Sequence, residues 1–336
     1  MERIDVPVAI IFFNRSEPLK KCFEAVKNAR PTKLFLIQDG ARENNSTDLE
    51  NIQKCRDVVE KVDWECDVVK IYSDKNLGCG KRIYTGLKEA FTHVDRLVIL
   101  EDDIVASIDF FRFCEEMLER YKDDERIIDI TGMNHCKTNE RCPYSYFFSE
   151  IGSCWGWATW KRSWDKMEYN FDFLDDKYAV DCFIKSHYRK RKIRKQMIEE
   201  SAKRRKILSS GGKLSAWTHQ YMMEGYFQSG LTIVPQKNLT SNIGLTPDSG
   251  HAVATIKKIP KGLQRVFFME TPKLEFPLKH PKYVIEDNTY GKEVIKILGI
   301  YGIRKVTRRL EGILRRIIFA EKGEIKKMFK KVFRKK

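Results

Sequence analysis

A chain of 336 residues with 63 Lys and Arg against 47 Asp and Glu, net +16, has room for one α/β domain and an appendage. Its hydrophobic fraction of 42% can fill a core and excludes a disordered chain. Nine cysteines without a Cys-x-x-Cys pair argue against a secreted disulfide framework and a structural zinc site, and no apolar run is long enough to span a bilayer.

The first apolar run, residues 6–13, reads as a buried strand, with no leader expected before it. Residues 17–28 follow at helical spacing, with Pro18 suited to a first turn. Strand 33–38, helix 47–62, strand 66–72, helix 81–91, strand 96–100, helix 108–121 and strand 126–131 continue the alternation. This order predicts an α/β fold: a mainly parallel sheet with helices on both faces. Ligands of such sheets bind beyond the C-terminal strand ends. This chain places Asn14-Arg15, Gln38-Asp39-Gly40, Ser73-Asp74 and Glu101-Asp102-Asp103 there. From 146 to 249 the pattern is less regular and rich in aromatics. Pro260, Pro272, Pro277 and Pro281 mark 256–287 as a linker. The expected division is a catalytic domain at 1–255, the linker, and a basic tail at 288–336.

Three carboxylates in a row after a buried strand repel one another and are costly to desolvate. A divalent cation removes that cost, and hard oxygen ligands suit Mn²⁺ or Mg²⁺, which also take phosphate oxygens. Lys81 and Arg82, at a Gly-flanked helix start, add positive charge for phosphates. Trp155, Trp157, Trp160 and Trp164 crowd one short segment, where indoles suit the apolar faces of sugars.

The stretch LVILEDDIVASIDFFRF at 97–113 resembles the metal-binding strand of GT-A glycosyltransferases, with Glu-Asp-Asp in place of Asp-x-Asp. The closest likeness is to the N-acetylglucosaminyltransferase I-like branch. PVAIIFFNR at 7–15, LFLIQDGAR at 34–42, NLGCGKRIYTGLKEAF at 76–91, CWGWATWKRSW at 154–164 and NLTSNIGL at 238–245 resemble its flanking segments. The CWGWATWKRSW piece is similar to bacterial surface-polysaccharide members. The resemblance covers 6–252 and implies a Rossmann-like GT-A fold acting on a nucleotide sugar, UDP-linked by preference. It implies that Asp103 ligates the metal, with His251 near the metal or pyrophosphate. Asp102 and Glu101 would hold the ribose and the metal's waters, Asp39 would accept from a uracil ring, and Arg15 would sit by the nucleotide. Trp155, Trp157 and Trp217 would meet sugar or acceptor. Inverting members place an Asp or Glu at a helix start to deprotonate the acceptor. Here that position reads Trp217-Thr218-His219, so His219 is the expected base, with Glu150 and Glu224 as alternatives.

Segment 185–206 carries net +9 and segment 292–336 net +12, leaving about −5 for the rest. Apolar residues at 3–4 spacing in the tail, with Arg off the stripe, form an interfacial helix pattern. The expected partners are a nucleotide-sugar donor, a glycan or lipid-linked acceptor and an anionic membrane surface. The expected location is the cytoplasm, peripheral on the inner face of the cell membrane. No nucleic acid is expected, since no groove-reading motif occurs. The rival readings are a metal-dependent nucleotidyltransferase and a non-catalytic lipid- or nucleic-acid-binding protein on the same fold.

Overall fold

The computed structural model describes residues 3–186, 190–245, 255–299 and 302–320. Its first half follows the expected alternation. β1 (Val8–Phe12), β2 (Lys33–Gln38), β3 (Asp67–Tyr72) and β4 (Arg96–Glu101) are joined by α1 (Ser16–Ala29), α2 (Asp48–Val59) and α3 (Cys79–Ala90). β1 pairs in parallel with β2 and β4, and β2 with β3. Every residue of β1 is buried, as a central strand covered on both faces requires. Val8, Ile10 and Phe12 face one core with α1 and α4 (Ile108–Arg120), while Ala9 and Ile11 face a second core with α3.

The second half adds short strands that the sequence reading left unassigned, apart from β6 (Ile127–Thr131). These are β5 (Ile104–Ala106), β7 (Tyr146–Ser149), β8 (Trp157–Trp160), β9 (Leu231–Pro235) and β10 (Thr240–Asn242). The main sheet runs β3-β2-β1-β4-β8-β6-β9-β7. β8 is antiparallel between β4 and β6, and β7 is antiparallel to β9, so the sheet is mixed but mostly parallel. β5 pairs with β10 in a separate antiparallel ribbon. α5 (Lys161–Trp164), α6 (Lys177–Lys185), α7 (Arg191–Ser209) and α8 (Thr218–Phe227) complete the helical layer. Phe171, Phe183, Met197 and Met223 give it a small core. Most of the basic segment 185–206 becomes α7, which buries only Arg194, Met197 and Ser201.

Two stretches expected outside the catalytic body pack onto it. In 256–287, read as a linker, Leu274 and Leu278 enter the main core. Val266 and Met269 of the same stretch cluster with Met133 and Ile297. A short helix, α9 (Lys261–Gln264), lies within it. α10 (Asn288–Leu298), expected to open the tail, is capped by Asp287 and buries Tyr290 and Val294 against Phe147 and Val234 of the outer strands. The apolar residues between the prolines, and the apolar face of α10, cover a sheet edge that would otherwise be wet. α11 (Gly302–Ile318) buries no residue and keeps a whole row of large apolar side chains in solvent. Among the described residues no helix is long and apolar enough to cross a membrane.

Candidate active site

The C-terminal ends of β1, β2 and β4 lie side by side, so the polar residues that follow them meet on one sheet edge. Arg15, just beyond β1, bridges two of the carboxylates that follow β4. Its guanidinium donates to Asp102 and, at 2.9 Å, to Asp103 Oδ2. The Asp102 side chain is only 6% exposed, and burial raises its pKa while Arg15 opposes the rise. Burial, then the charges of Asp103 and Asp102, push Glu101 up to about 8. Burial works against the Arg15 cation, but Asp102 and Asp103 outweigh it and raise its pKa.

Oxygens of Asp102 and Asp103 thus converge on a single positive group, which is the arrangement a divalent ion needs. No group of three or more His, Cys, Asp or Glu able to hold a metal occurs among the described residues. Two carboxylates fit a hard ion that draws its remaining ligands from water and phosphate. His251, expected nearby, lies outside the described residues.

The carboxylate of Asp103 is fixed from the far side by the β5–β10 ribbon. Ile243, after β10, donates its N–H to the Asp103 carbonyl at 2.9 Å. A Cβ on Gly244 would stand 2.0 Å from Asp103 Oδ2, so only glycine leaves that carboxylate its place. Gly244 carries no chemistry of its own in the sequence; its one signal is its place in the segment 238–245. Gly156, at φ +79°, lets the 150–156 loop pass over Thr240, where a Cβ would approach Cγ2 to 2.6 Å.

Asp39 is 7% exposed and already satisfied. It accepts from the N–H groups of Gly40 at 3.0 Å, Leu77 at 2.9 Å and Gly78 at 2.9 Å, and from Asn76 Nδ2 at 3.1 Å. Four bonds fill the acceptor positions of a carboxylate. As it stands, Asp39 pins the turn that starts α3 and offers no free edge to a base. Lys81 is exposed on the first turn of α3, whereas Arg82 is buried and donates to the Ile71 carbonyl, bracing β3. Beside them is a group the sequence reading did not assemble. Asp48 accepts from Asn14 at 2.9 Å and doubly from Arg42 at 2.7 Å, and Arg42 lies over the Phe13 ring at 5.4 Å. The Arg42 bonds hold the Asp48 carboxyl down at about 2.

The three base candidates are separated. Gly80 N–H donates to Leu214 O and Lys213 Nζ to Asn76 O, which ties the lead-in of α8 to the start of α3 on the carboxylate edge. His219 is in the first turn of α8. Ser201 donates its hydroxyl hydrogen to Met197 O at 2.9 Å, so its 2.9 Å contact with His219 has ring Nε2–H donating. The network thereby leaves Nδ1 as the imidazole acceptor. Burial, assisted by Arg204, lowers the His219 pKa to about 4, so the ring is neutral at pH 7. Glu224 sits further along α8, 7% exposed; burial, then Glu168 and Asp172, push it up to about 8. Glu150 follows β7, whose last residue pairs with Thr232 near the start of β9. It therefore stands at the opposite end of the strands from Glu101, paired with Lys190 at 2.7 Å and Arg194 at 3.4 Å.

The expected sugar-stacking tryptophans part company. Trp157 and Trp217 are 1% and 2% exposed and lie 5.3 Å apart by ring centroids, covered by Trp164 and Tyr221. Their faces meet each other, so they are core. Trp155 stays on the 150–156 loop, half-buried, with its ring 5.0 Å from Phe267.

The family model described as glycosyl transferase family 2 matches residues 8–195. Among solved structures, HddC from Yersinia pseudotuberculosis is 12% identical, covering 47% of this chain and 77% of its own, with a TM-score of 0.29. A UDP-glucose pyrophosphorylase complexed with UDP-glucose is 12% identical over 48% of this chain and 78% of its own, TM-score 0.28. A 4-diphosphocytidyl-2C-methyl-D-erythritol synthase from Anaerococcus prevotii is 10% identical over 74% of this chain and 94% of its own, TM-score 0.36. No curated protein matches.

Proposed function

Because this chain belongs to glycosyl transferase family 2, we propose that it moves a hexosyl or N-acetylhexosaminyl group from a UDP-sugar to a glycan or lipid-linked acceptor in cell-surface polysaccharide or lipopolysaccharide synthesis. The observation that carries the donor side is the Arg15–Asp102–Asp103 constellation where β1 and β4 end together. Asp103 and Asp102 would hold Mn²⁺ or Mg²⁺. Such an ion, when bound, neutralises charge on the departing nucleoside diphosphate. Arg15 would reach the same phosphates, and Glu101 and Asp102 would border the ribose. Asp39 acts by holding the turn on which the base would rest.

On the acceptor side the proposed base is His219, in the first turn of α8, whose lead-in is tied to the start of α3 and whose contact with Ser201 leaves Nδ1 as the acceptor. Taking the acceptor proton on the face opposite the leaving group gives inversion. The N-acetylglucosaminyltransferase I-like branch is proposed on the Glu-Asp-Asp run. A peripheral position on the cytoplasmic face of the membrane is proposed on the basic tail and the lipid-linked acceptor.

The test is a donor screen by thermal shift, with and without Mn²⁺, followed by transfer assays. A ligand at 100 times its Kd stabilises by about 2.7 kcal/mol, a shift of about 4–5 °C for a domain this size. Stabilisation by a UDP-sugar with Mn²⁺ is expected. A response only to a nucleoside triphosphate with a sugar phosphate would replace this reading by nucleotidyl transfer.

A further inference from the structure

α11 is docked the wrong way round for a helix that belongs to a soluble core. On a 3.6-residue turn, Arg308, Glu311, Gly312 and Arg315 share one face. That face is turned inward. Glu311 accepts from the Lys261 N–H at 2.8 Å and from Arg315 at 3.0 Å. Arg315 also donates to Lys257 O at 3.1 Å, and Arg308 lies over Gly262 and Gly299. The opposite face holds the apolar stripe, all of it in solvent. Ile303, Val306 and Leu310 are 81%, 56% and 60% exposed, and Ile313, Leu314 and Ile317 are 45%, 57% and 43%. A helix that packs on its own domain buries this stripe and shows its charges to water.

We propose that α11 lies in the plane of an anionic lipid bilayer, its apolar stripe among the acyl chains, with the catalytic body clamped behind it. The inference deepens the peripheral-membrane reading and rests on it. Charge complementarity names the occupant: Lys305, Arg309 and Arg316 run along one border of the stripe, exposed, where headgroup phosphates would lie. A second copy of this face would bring those cations together, which disfavours self-pairing. Residues 321–336 continue the positive charge with eight Lys and Arg against two Glu. The clamp sets the helix against the body through hydrogen bonds between its charged side chains and backbone groups of residues 257, 261 and 297, so the bilayer holds the enzyme at one orientation.

The experiment is co-sedimentation of the full-length protein with phosphatidylglycerol–phosphatidylcholine vesicles and with pure phosphatidylcholine, across a salt series, without donor or acceptor. The triple variant Leu310→Ser, Ile313→Ser, Ile317→Ser is expected to bind about tenfold more weakly or worse, at every salt concentration. Arg309→Gln with Arg316→Gln is expected to lose roughly fivefold per residue at low salt and little at high salt. Glu311→Gln with Arg315→Gln is expected to keep vesicle affinity while the 257–262 amides exchange faster with solvent, since only the clamp has gone. Triple-variant binding equal to wild type would overturn the assignment to α11 and leave the peripheral reading to other basic segments. A wild-type protein that ignores both vesicles would remove both. A concentration-dependent dimer abolished by the triple variant would overturn the bilayer in favour of a second copy. None of these outcomes touches the transferase reading, which the donor screen decides separately.

Discussion

Gly244→Ala tests whether the β5–β10 ribbon sets the geometry of the acidic site. The added methyl would begin 2.0 Å from Asp103 Oδ2, 2.7 Å from Cγ and 3.1 Å from Cβ. An ordinary carbon–oxygen contact is over 3 Å, so the carboxylate must retreat by about 1 Å or more, or the chain after β10 must lift. The first outcome breaks the 2.9 Å bond from Arg15 to Oδ2, and the second breaks the 2.8 Å bond from Gly244 N–H to Asn242. Overpacking of this kind costs about 1–3 kcal/mol where neighbours cannot yield. Displacing a group that orients a metal ligand typically costs about 10–100-fold in affinity. The expected result is a Kd for Mn²⁺·UDP raised by that factor in calorimetric titration, with Tm lowered by only a few degrees. Asp103→Asn serves as the reference, because it removes the charge without the bulk: it should lose Mn²⁺-dependent binding and activity at unchanged Tm. A Gly244→Ala protein with wild-type Mn²⁺·UDP affinity would refute the cradle.

Asp39→Ala strips three backbone N–H groups and Asn76 of their acceptor at once, so a stability loss of about 2–4 kcal/mol is expected together with weaker UDP binding. An unchanged denaturation midpoint would show the pinning to be dispensable. His219→Ala should lower kcat by about 10²–10⁴ with donor affinity intact, and Ser201→Ala by less, through loss of the tautomer; a His219→Ala effect below about threefold would remove the base. Asp129 lies in the sheet, 9% exposed, with one oxygen unpartnered, and burial pushes it up to about 7. Below the ordinary carboxylate pKa both folded and unfolded forms carry the proton. As pH rises to about 7 the unfolded form ionises first, so stability falls across that window, by about 4 kcal/mol at most. Subtracting the Asp129→Asn profile should isolate this slope from the opposite one of His135 and His219, both lowered to about 4 by burial. Parallel profiles would refute it.

The fold of the first half is legible because its signals are local. Runs such as 6–13 and 33–38 carry both the strand and the polar residue at its exit, and the parallel order brings the exits together without further information. β5, β8 and β10 were not legible, because three or four residues have no period of their own and their register is set by partners far along the chain. Trp157 and Trp217 show the limit differently: an indole suits a sugar and a core equally, and α8 decided for the core by laying Tyr221 against both. Three of the four donors to Asp39 are backbone N–H groups, which no side-chain pattern reveals. The prolines in 256–287 give the stretch the pattern of a linker, but Leu274 and Leu278 between them join the main core. Glu150 was drawn to the site by its closeness in sequence to Trp155, yet β7 runs antiparallel and delivers it to the other end of the strands.

The ribbon of β5 and β10 joins residues 104–106 to 240–242. Closing it brings together points about 140 residues apart, an entropy cost that the rest of the domain must meet first. The Gly244 cradle around Asp103 is therefore completed late in folding. During synthesis the Glu101-Asp102-Asp103 run emerges long before Gly244, with its strand already able to pair but its third carboxylate free to turn. A chain that ends before β10 lacks that cradle, and its third carboxylate keeps the freedom to turn that the full-length chain has lost.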